Sequence, residues 1–432
     1  MTSPVCVEGV LGRLAQSLRA FYQHSVIKNA SFLLLSNIIM SGFGFLFWVI
    51  AAREYSRANV GVASVIITAA ALITTIGLLG LDAGVLRFLS ASPNQEKQLQ
   101  STVAVVTVTT ILAGASYIAL TPILSPKLAF IRHNLVYAAI MLGFIVALVL
   151  NAILQASFVA KRRSLYVLIG NSLFSVAKVG VVPFMMGLGS FGIIGASGIA
   201  VIANLLFGVV TLKIKFGIRL FPRYHRHALA HVRTYATTLF ATGLENNLIQ
   251  AALPLVVLNR LGAGHAGDYY IVLSVASTLN MFSAATFQSL LAEGAHSPNF
   301  FVMNVRHSAR HVFMLLIPSA ILMFFLGKYV LLLFGSGYAA HGTTMLKYLA
   351  LAAPFSALNY LADGISNVQQ RNRRFLVMST FNSGGIIILS IFLVRYGLNG
   401  LGEAWLIAQA ATTVVYAFVM RNELSGFLRQ QK

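Results

Sequence analysis

Apolar runs of about 20 residues recur along almost the whole chain with short loops between them, and this pattern restricts the fold more than any motif does. A helix rises 1.5 Å per residue, so roughly 20 apolar residues cross a hydrocarbon core of about 30 Å. Runs of this length therefore read as transmembrane helices. The expected spans are 29–52, 61–80, 102–121, 135–158, 164–186, 191–212, 235–258, 267–291, 312–334, 344–369, 375–394 and 401–420. Gly327 and Lys328 interrupt the run at 312–334, which reads as a full span or as a shorter one with an interfacial turn. The expected fold class is therefore an all-α membrane protein of about twelve transmembrane helices.

Composition agrees. The chain is 58% hydrophobic and only 9% charged, whereas soluble domains carry about 25% charged residues. The net charge is +21, which in a soluble protein would suggest nucleic acid. Here the basic residues fall between apolar spans, so no nucleic-acid partner is expected. With both termini in the cytoplasm, 22 of the 31 Lys and Arg residues lie in inside segments, eight lie outside, and Lys178 falls within a span. That bias sets the orientation. Cys6 is the only cysteine and can form no internal disulfide. Residues 1–28 mix polar and apolar side chains, so no cleavable signal peptide is expected. They read as an amphipathic cytoplasmic segment that meets anionic headgroups. The stretch 213–234 reads as a cytoplasmic linker, either amphipathic on the same leaflet or a plain connection. Bundles at 29–212 and 235–420 and a tail at 421–432 complete the expected organisation.

The two bundles repeat. Asn59-Val60-Gly61 and Ala91-Ser92-Pro93 around span two match His265-Ala266-Gly267 and His296-Ser297-Pro298 around span eight. Arg162-Arg163 before Asn171-Ser172 matches Arg373-Arg374 before Asn382-Ser383, and Gly187-Leu188 is aligned with Gly397-Leu398. A unit of six spans leaves both halves facing the same way, related by a pseudo-two-fold axis along the membrane normal, with a cleft between them.

Charges inside spans are costly and mark function by default. Lys178 lies deep in span five and suits a phosphate or a carboxylate; its alternative role is a packing ion pair. Glu245 in span seven, followed by Asn246 and Asn247, and Asp363 in span ten can carry a proton or a cation. Asn37, Gln155 and Asn247 are further cavity candidates. Asp82 and Arg87 read as a helix-end pair. Pro183, Pro254, Pro318 and Pro354 fall within spans and permit kinks. No nucleotide-binding glycine loop, no metal spacing and no large extramembrane loop is evident, so neither a cofactor nor catalysis is expected.

Four stretches carry a family resemblance: Phe32-Leu33-Leu34-Leu35-Ser36-Asn37 through Gly80-Leu81-Asp82; Gly267-Asp268-Tyr269-Tyr270 through Gln288-Ser289-Leu290-Leu291-Ala292-Glu293; Leu331-Leu332-Leu333-Phe334-Gly335 with Gly337-Tyr338; and Gly397-Leu398-Asn399-Gly400. Together they resemble the polysaccharide-transporter, O-antigen flippase-like branch of the MOP superfamily, which also holds the MATE exporters and the lipid II flippases. The resemblance implies two six-helix bundles around a central cavity. It also implies a flippase that moves an undecaprenyl-diphosphate-linked oligosaccharide across a bacterial inner membrane, driven by H+ or Na+ and working beside other polysaccharide-assembly proteins. Lys178 fits the cationic role in such a cavity. The alternatives are a MATE-like cation-coupled multidrug exporter, which Lys178 disfavours, and a polysaccharide polymerase or ligase, which would need a large outer loop.

Overall fold

The computed structural model describes residues 25–226, 228–229, 232–294, 301–369 and 371–421. Most of the expected N-terminal segment, and the tail from 422 onward, lie outside them. The described residues are helical, with no strand among them. In chain order the helices are α1 (Ser25–Glu54), α2 (Arg57–Leu78), α3 (Leu81–Phe88), α4 (Gln95–Leu124), α5 (Phe130–His133), α6 (Leu135–Ala160), α7 (Ser164–Val181) and α8 (Ser190–Phe216). They continue as α9 (Arg233–Leu261), α10 (Ala263–Gly294), α11 (Phe301–Leu332), α12 (Ser336–Val368), α13 (Asn372–Leu393) and α14 (Gly397–Val419). Apart from the short α3 and α5 these are twelve long helices, as the apolar runs predict.

Local chemistry sets several boundaries. The side chains of Ser56, Asn94 and Asn134 accept bonds from the first free amides of α2, α4 and α6, as N-caps do. Gly217 ends α8 in the left-handed conformation. The expected interruption in span nine is absent: α11 runs unbroken past Gly327. A Cβ at Gly327 would lie 2.7 Å from Leu346 Cδ2, so this glycine lets α12 approach rather than breaking α11. Pro254, Pro318 and Pro354 do lie within helices. Pro183 does not, because α7 stops at Val181 and Pro183 sits in a 3-10 turn over Val182–Leu188. The expected linker holds the last turn of α8, a stretch without helix over 217–225, and the start of α9. Glu96, Gln100 and Ser101 on α4 hold that stretch through Arg219 and His225.

The first six long helices pack mainly among themselves, as do the last six, with α2 against α9 and α10 joining the halves. By length and composition, the described residues hold eight stretches apolar enough to cross a membrane: α1, α2, α4, α6, α7, α8, α11, and the stretch 373–419 that covers α13 and α14. Helices α9, α10 and α12 carry Gln250, Asn280, Ser356, Asn359 and Asp363, which line internal cavities.

Candidate functional site

The halves meet most closely where α2 and α10 cross, near the end of the bundle at which α1 turns into α2. A Cβ at Gly61 would overlap the Ala263 carbonyl oxygen and lie 2.7 Å from the Gly267 nitrogen, and one at Gly267 would overlap the Arg57 carbonyl oxygen. These are reciprocal contacts. Gly61 and Gly267 are repeat equivalents, and so at the same offset are Arg57 and Ala263. An isologous contact of this kind is what a two-fold axis between equivalent segments produces. Only hydrogen side chains allow the backbones this close.

Polar contacts surround the crossing. Arg57 Nη1 on α2 lies 3.2 Å from Asp268 Oδ2 on α10 and 2.8 Å from His341 Nδ1 on α12. The Asp268 side chain is fully buried, and its Oδ1 has no hydrogen-bond partner. Arg53 at the end of α1 donates to the Leu333 carbonyl, 2.7 Å away. Asn259 on α9 donates to the Leu124 carbonyl at 2.9 Å and accepts from Ser125 at 3.0 Å. This end of the bundle is thus tied shut across the two halves.

Two adjoining cavities open inside the second half. One, about 300 Å³, is lined by Gln250, Tyr270, Asn280, Ser356, Trp405 and Gln409, with Thr68 reaching in from α2. The other, about 320 Å³, shares Gln250, Asn280, Ser356, Trp405 and Gln409 and extends to Asn359, Asp363 and Asn382. Asn359 Nδ2 donates to the Gln409 side-chain oxygen at 2.7 Å, and Thr413 donates to Asn359 Oδ1 at 3.0 Å. Tyr416 donates to Asp363. A third cavity, about 530 Å³, lies in the first half between α2, α3 and α6 and is lined by Asp82, Asn151 and Gln155.

The expected site residues are dispersed. Asp363 and Gln155 line cavities in different halves. Gln155 accepts from Asn171 Nδ2 at 3.5 Å, and Asn171 also donates to Ser36 at 2.9 Å. Asn37 is exposed on α1, and Asn247 is partly buried on α9. Glu245 is on α9, but its side chain lies outside the described residues. Lys178 lines none of these three cavities. Its ammonium sits over the Phe47 ring at 3.9 Å, with the rings of Phe174 and Trp48 5.7 and 6.0 Å away. Asp82 and Arg87 form no ion pair with each other. Five residues are 1.4 helical turns, which points the two side chains apart, and Arg87 lies over the Phe88 ring instead.

The sequence reading missed Arg57, His341, Gln250, Asn280, Trp405 and Gln409. Their signal was weak: Arg57 and His341 sit at helix starts, where basic residues are ordinary, and isolated amides are common in membrane helices. The repeat alignment also needs a shift. Gly189 and Gly397 share one backbone conformation (φ 57°, ψ −136° and φ 72°, ψ −152°). Three residues on, a Cβ at Gly192 or Gly400 would overlap the Met185 or Leu393 carbonyl oxygen respectively. The equivalent of Gly397 is therefore Gly189, not Gly187.

Comparison with known proteins places this architecture. An inward-facing multidrug resistance MATE family transporter of the MOP superfamily matches with TM-score 0.70 at 12% identity, over 94% of this chain and 100% of that one. The lipid II flippase MurJ, in an inward closed conformation, matches with TM-score 0.70 at 15% identity, over 90% of this chain and 87% of that one. An outward-facing MATE transporter matches with TM-score 0.57 at 14% identity, over 96% and 98%. No match was found among curated proteins. The family described as "Polysaccharide biosynthesis protein" matches residues 26–291. These structural neighbours are two MATE transporters and a lipid II flippase. The family match covers more than half of the sequence, so the chain belongs to this polysaccharide biosynthesis family, with the membrane-transporter fold of the MOP superfamily.

Proposed function

We propose that this protein flips a lipid-linked oligosaccharide, carried on undecaprenyl diphosphate, from the cytoplasmic to the periplasmic leaflet of a bacterial inner membrane. Both termini are cytoplasmic in this reading, which makes the tied end periplasmic. The observation that carries it is the pairing of an isologous crossing, Gly61 against Gly267, with polar cavities beside it, in a chain of the polysaccharide biosynthesis family. Two halves hinged about such a crossing can open alternately to either side. The halves in this reading are 29–212 and 235–420, joined by the linker 213–234.

Lys178 supplies positive charge for the diphosphate, with Asn37, Asn247 and Gln155 as neutral hydrogen-bonding positions along the path. Asp363 and Glu245 are the carboxylates assigned to H+ or Na+ coupling; Tyr416 donates to Asp363, which lines a cavity. Anionic lipids meet the cytoplasmic basic segments, and other polysaccharide-assembly proteins act on the same substrate. A second reading, a cation-coupled drug exporter, draws support from the carboxylate of Asp363 in a cavity that holds no described Lys or Arg.

Deleting the chain separates the two. The flippase reading expects lost surface polysaccharide and lipid-linked oligosaccharide accumulating in the inner leaflet, with sensitivity to cationic dyes unchanged. Normal polysaccharide with raised dye sensitivity would overturn it in favour of the exporter.

A further inference from the structure

Among the described residues, the lining of the 300 Å³ cavity among α9, α10, α12 and α14 includes no carboxylate, ammonium or guanidinium. A diphosphate would find no countercharge among these residues, and a cationic drug would find no carboxylate among them. What the walls do offer is amides, hydroxyls and two aromatic rings. Asn280 and Gln250 make no hydrogen bond among the described residues. The oxygen of the Gln409 side chain is occupied by Asn359 at 2.7 Å, which leaves its NH₂ group to donate elsewhere. The indole Nε1–H of Trp405 is buried and, like the Tyr269 hydroxyl, makes no hydrogen bond of ordinary geometry.

Amides that both donate and accept, set beside flat apolar ring faces, match one ligand chemistry well. A sugar hydroxyl donates and accepts at once, while the C–H face of a pyranose is apolar and packs on an aromatic ring. The size, about 300 Å³, is at the low end for ligand pockets and suits a ring or two rather than a whole repeat unit. The adjoining chamber continues the amide lining through Asn359 and Asn382.

We propose that this uncharged chamber is the saccharide subsite, in which Tyr270 or Trp405 stacks on a sugar ring while Gln250, Asn280 and Gln409 bond its hydroxyls. The inference rests on the flippase reading and deepens it. The glycan and the diphosphate are recognised in different places: the sugar in the second half, the anion elsewhere. The bond between Asn359 and Gln409 is then a positioning contact that fixes the Gln409 amide before the sugar arrives.

The test is equilibrium binding to the full chain in nanodiscs with two probes. One is the lipid-linked oligosaccharide fraction extracted from cells lacking the chain, and the other is undecaprenyl diphosphate without sugar. Wild type should bind both, the first more tightly. Gln409→Leu should weaken the first by about ten-fold, the loss of one or two hydrogen bonds to a buried site, and leave the second nearly unchanged. Asn280→Ala, which removes no internal hydrogen bond, should do the same and guards against a folding defect in the first variant. If both variants lower affinity for both probes equally, or affect neither, the chamber is not a sugar subsite and holds water. If wild type binds neither probe, the flippase reading itself fails and the subsite falls with it.

Discussion

At the scale of single residues, Lys178 shows how magnitudes decide a role. Placing an ammonium among apolar helices costs several kcal/mol. A ring face returns about 0.5–2 kcal/mol, and of its three aromatic neighbours only Phe47 is in close contact. Among the described residues Lys178 makes no ion pair. The compensation is therefore partial, and an anion brought within reach would be attracted strongly. Lys178→Arg should keep most surface polysaccharide, whereas Lys178→Met should lose most of it with the protein still present in the membrane at normal amount. Normal polysaccharide in Lys178→Met would reduce Lys178 to a packing residue. Asn171 gives a stability counterpart. It is 4% exposed and bonds to Ser36 on α1 and Gln155 on α6. Asn171→Ala should cost about 1–2 kcal/mol, read as a fall of a few degrees in Tm; an unchanged Tm would contradict the network. Lys178 and Asn171 both stood out in the sequence, one as a charge in a span and one through the repeat. Gln155 stood out too, as an amide in a span, but Phe47 and Ser36 did not, because they are ordinary residues on another helix.

Among elements, the crossing of α2 and α10 is the joint that any opening of the tied end must disturb. Backbone-to-backbone packing at Gly61 and Gly267 leaves no room for a larger side chain, and overpacking typically costs about 1–3 kcal/mol. The Arg57–Asp268 contact and the Arg53 bond to Leu333 hold the same end. Gly267→Val and Asp268→Asn should each loosen it by different means. With Cys6→Ala as background and a cysteine at Ser277, a cavity-lining position, both variants should speed labelling by an impermeant maleimide added from the periplasmic side several-fold. Equal rates in wild type and variants would mean that these contacts do not close the path. The repeated glycines were visible in the sequence, and the contact between them follows once a two-fold axis is granted. The shift from Gly187 to Gly189 was not visible, because only backbone dihedrals distinguish two glycines in Gly187-Leu188-Gly189.

Across the whole molecule, the twelve helices were legible because each span is a local property of about 20 residues. The cavities were not. They are assembled from α9, α10, α12 and α14, and no stretch of sequence announces that Gln250, Asn280 and Gln409 share one wall. Expectation and structure also part over where charge gathers. A central cavity with Lys178 in the cationic role was expected, whereas Lys178 rests among aromatic rings in the first half and the cavities in the second half hold amides with one described carboxylate, Asp363. A substrate with an anionic end and a neutral polar end fits that division better than a compact cation does. The most direct test is transport by the purified chain in proteoliposomes loaded on one leaflet with fluorescent undecaprenyl-diphosphate-linked oligosaccharide. The account predicts that the sugar reaches the opposite leaflet in the presence of the protein and does so far more slowly with Lys178→Met. No transfer by the wild-type chain under an imposed H+ or Na+ gradient, with a cationic dye moved instead, would contradict it.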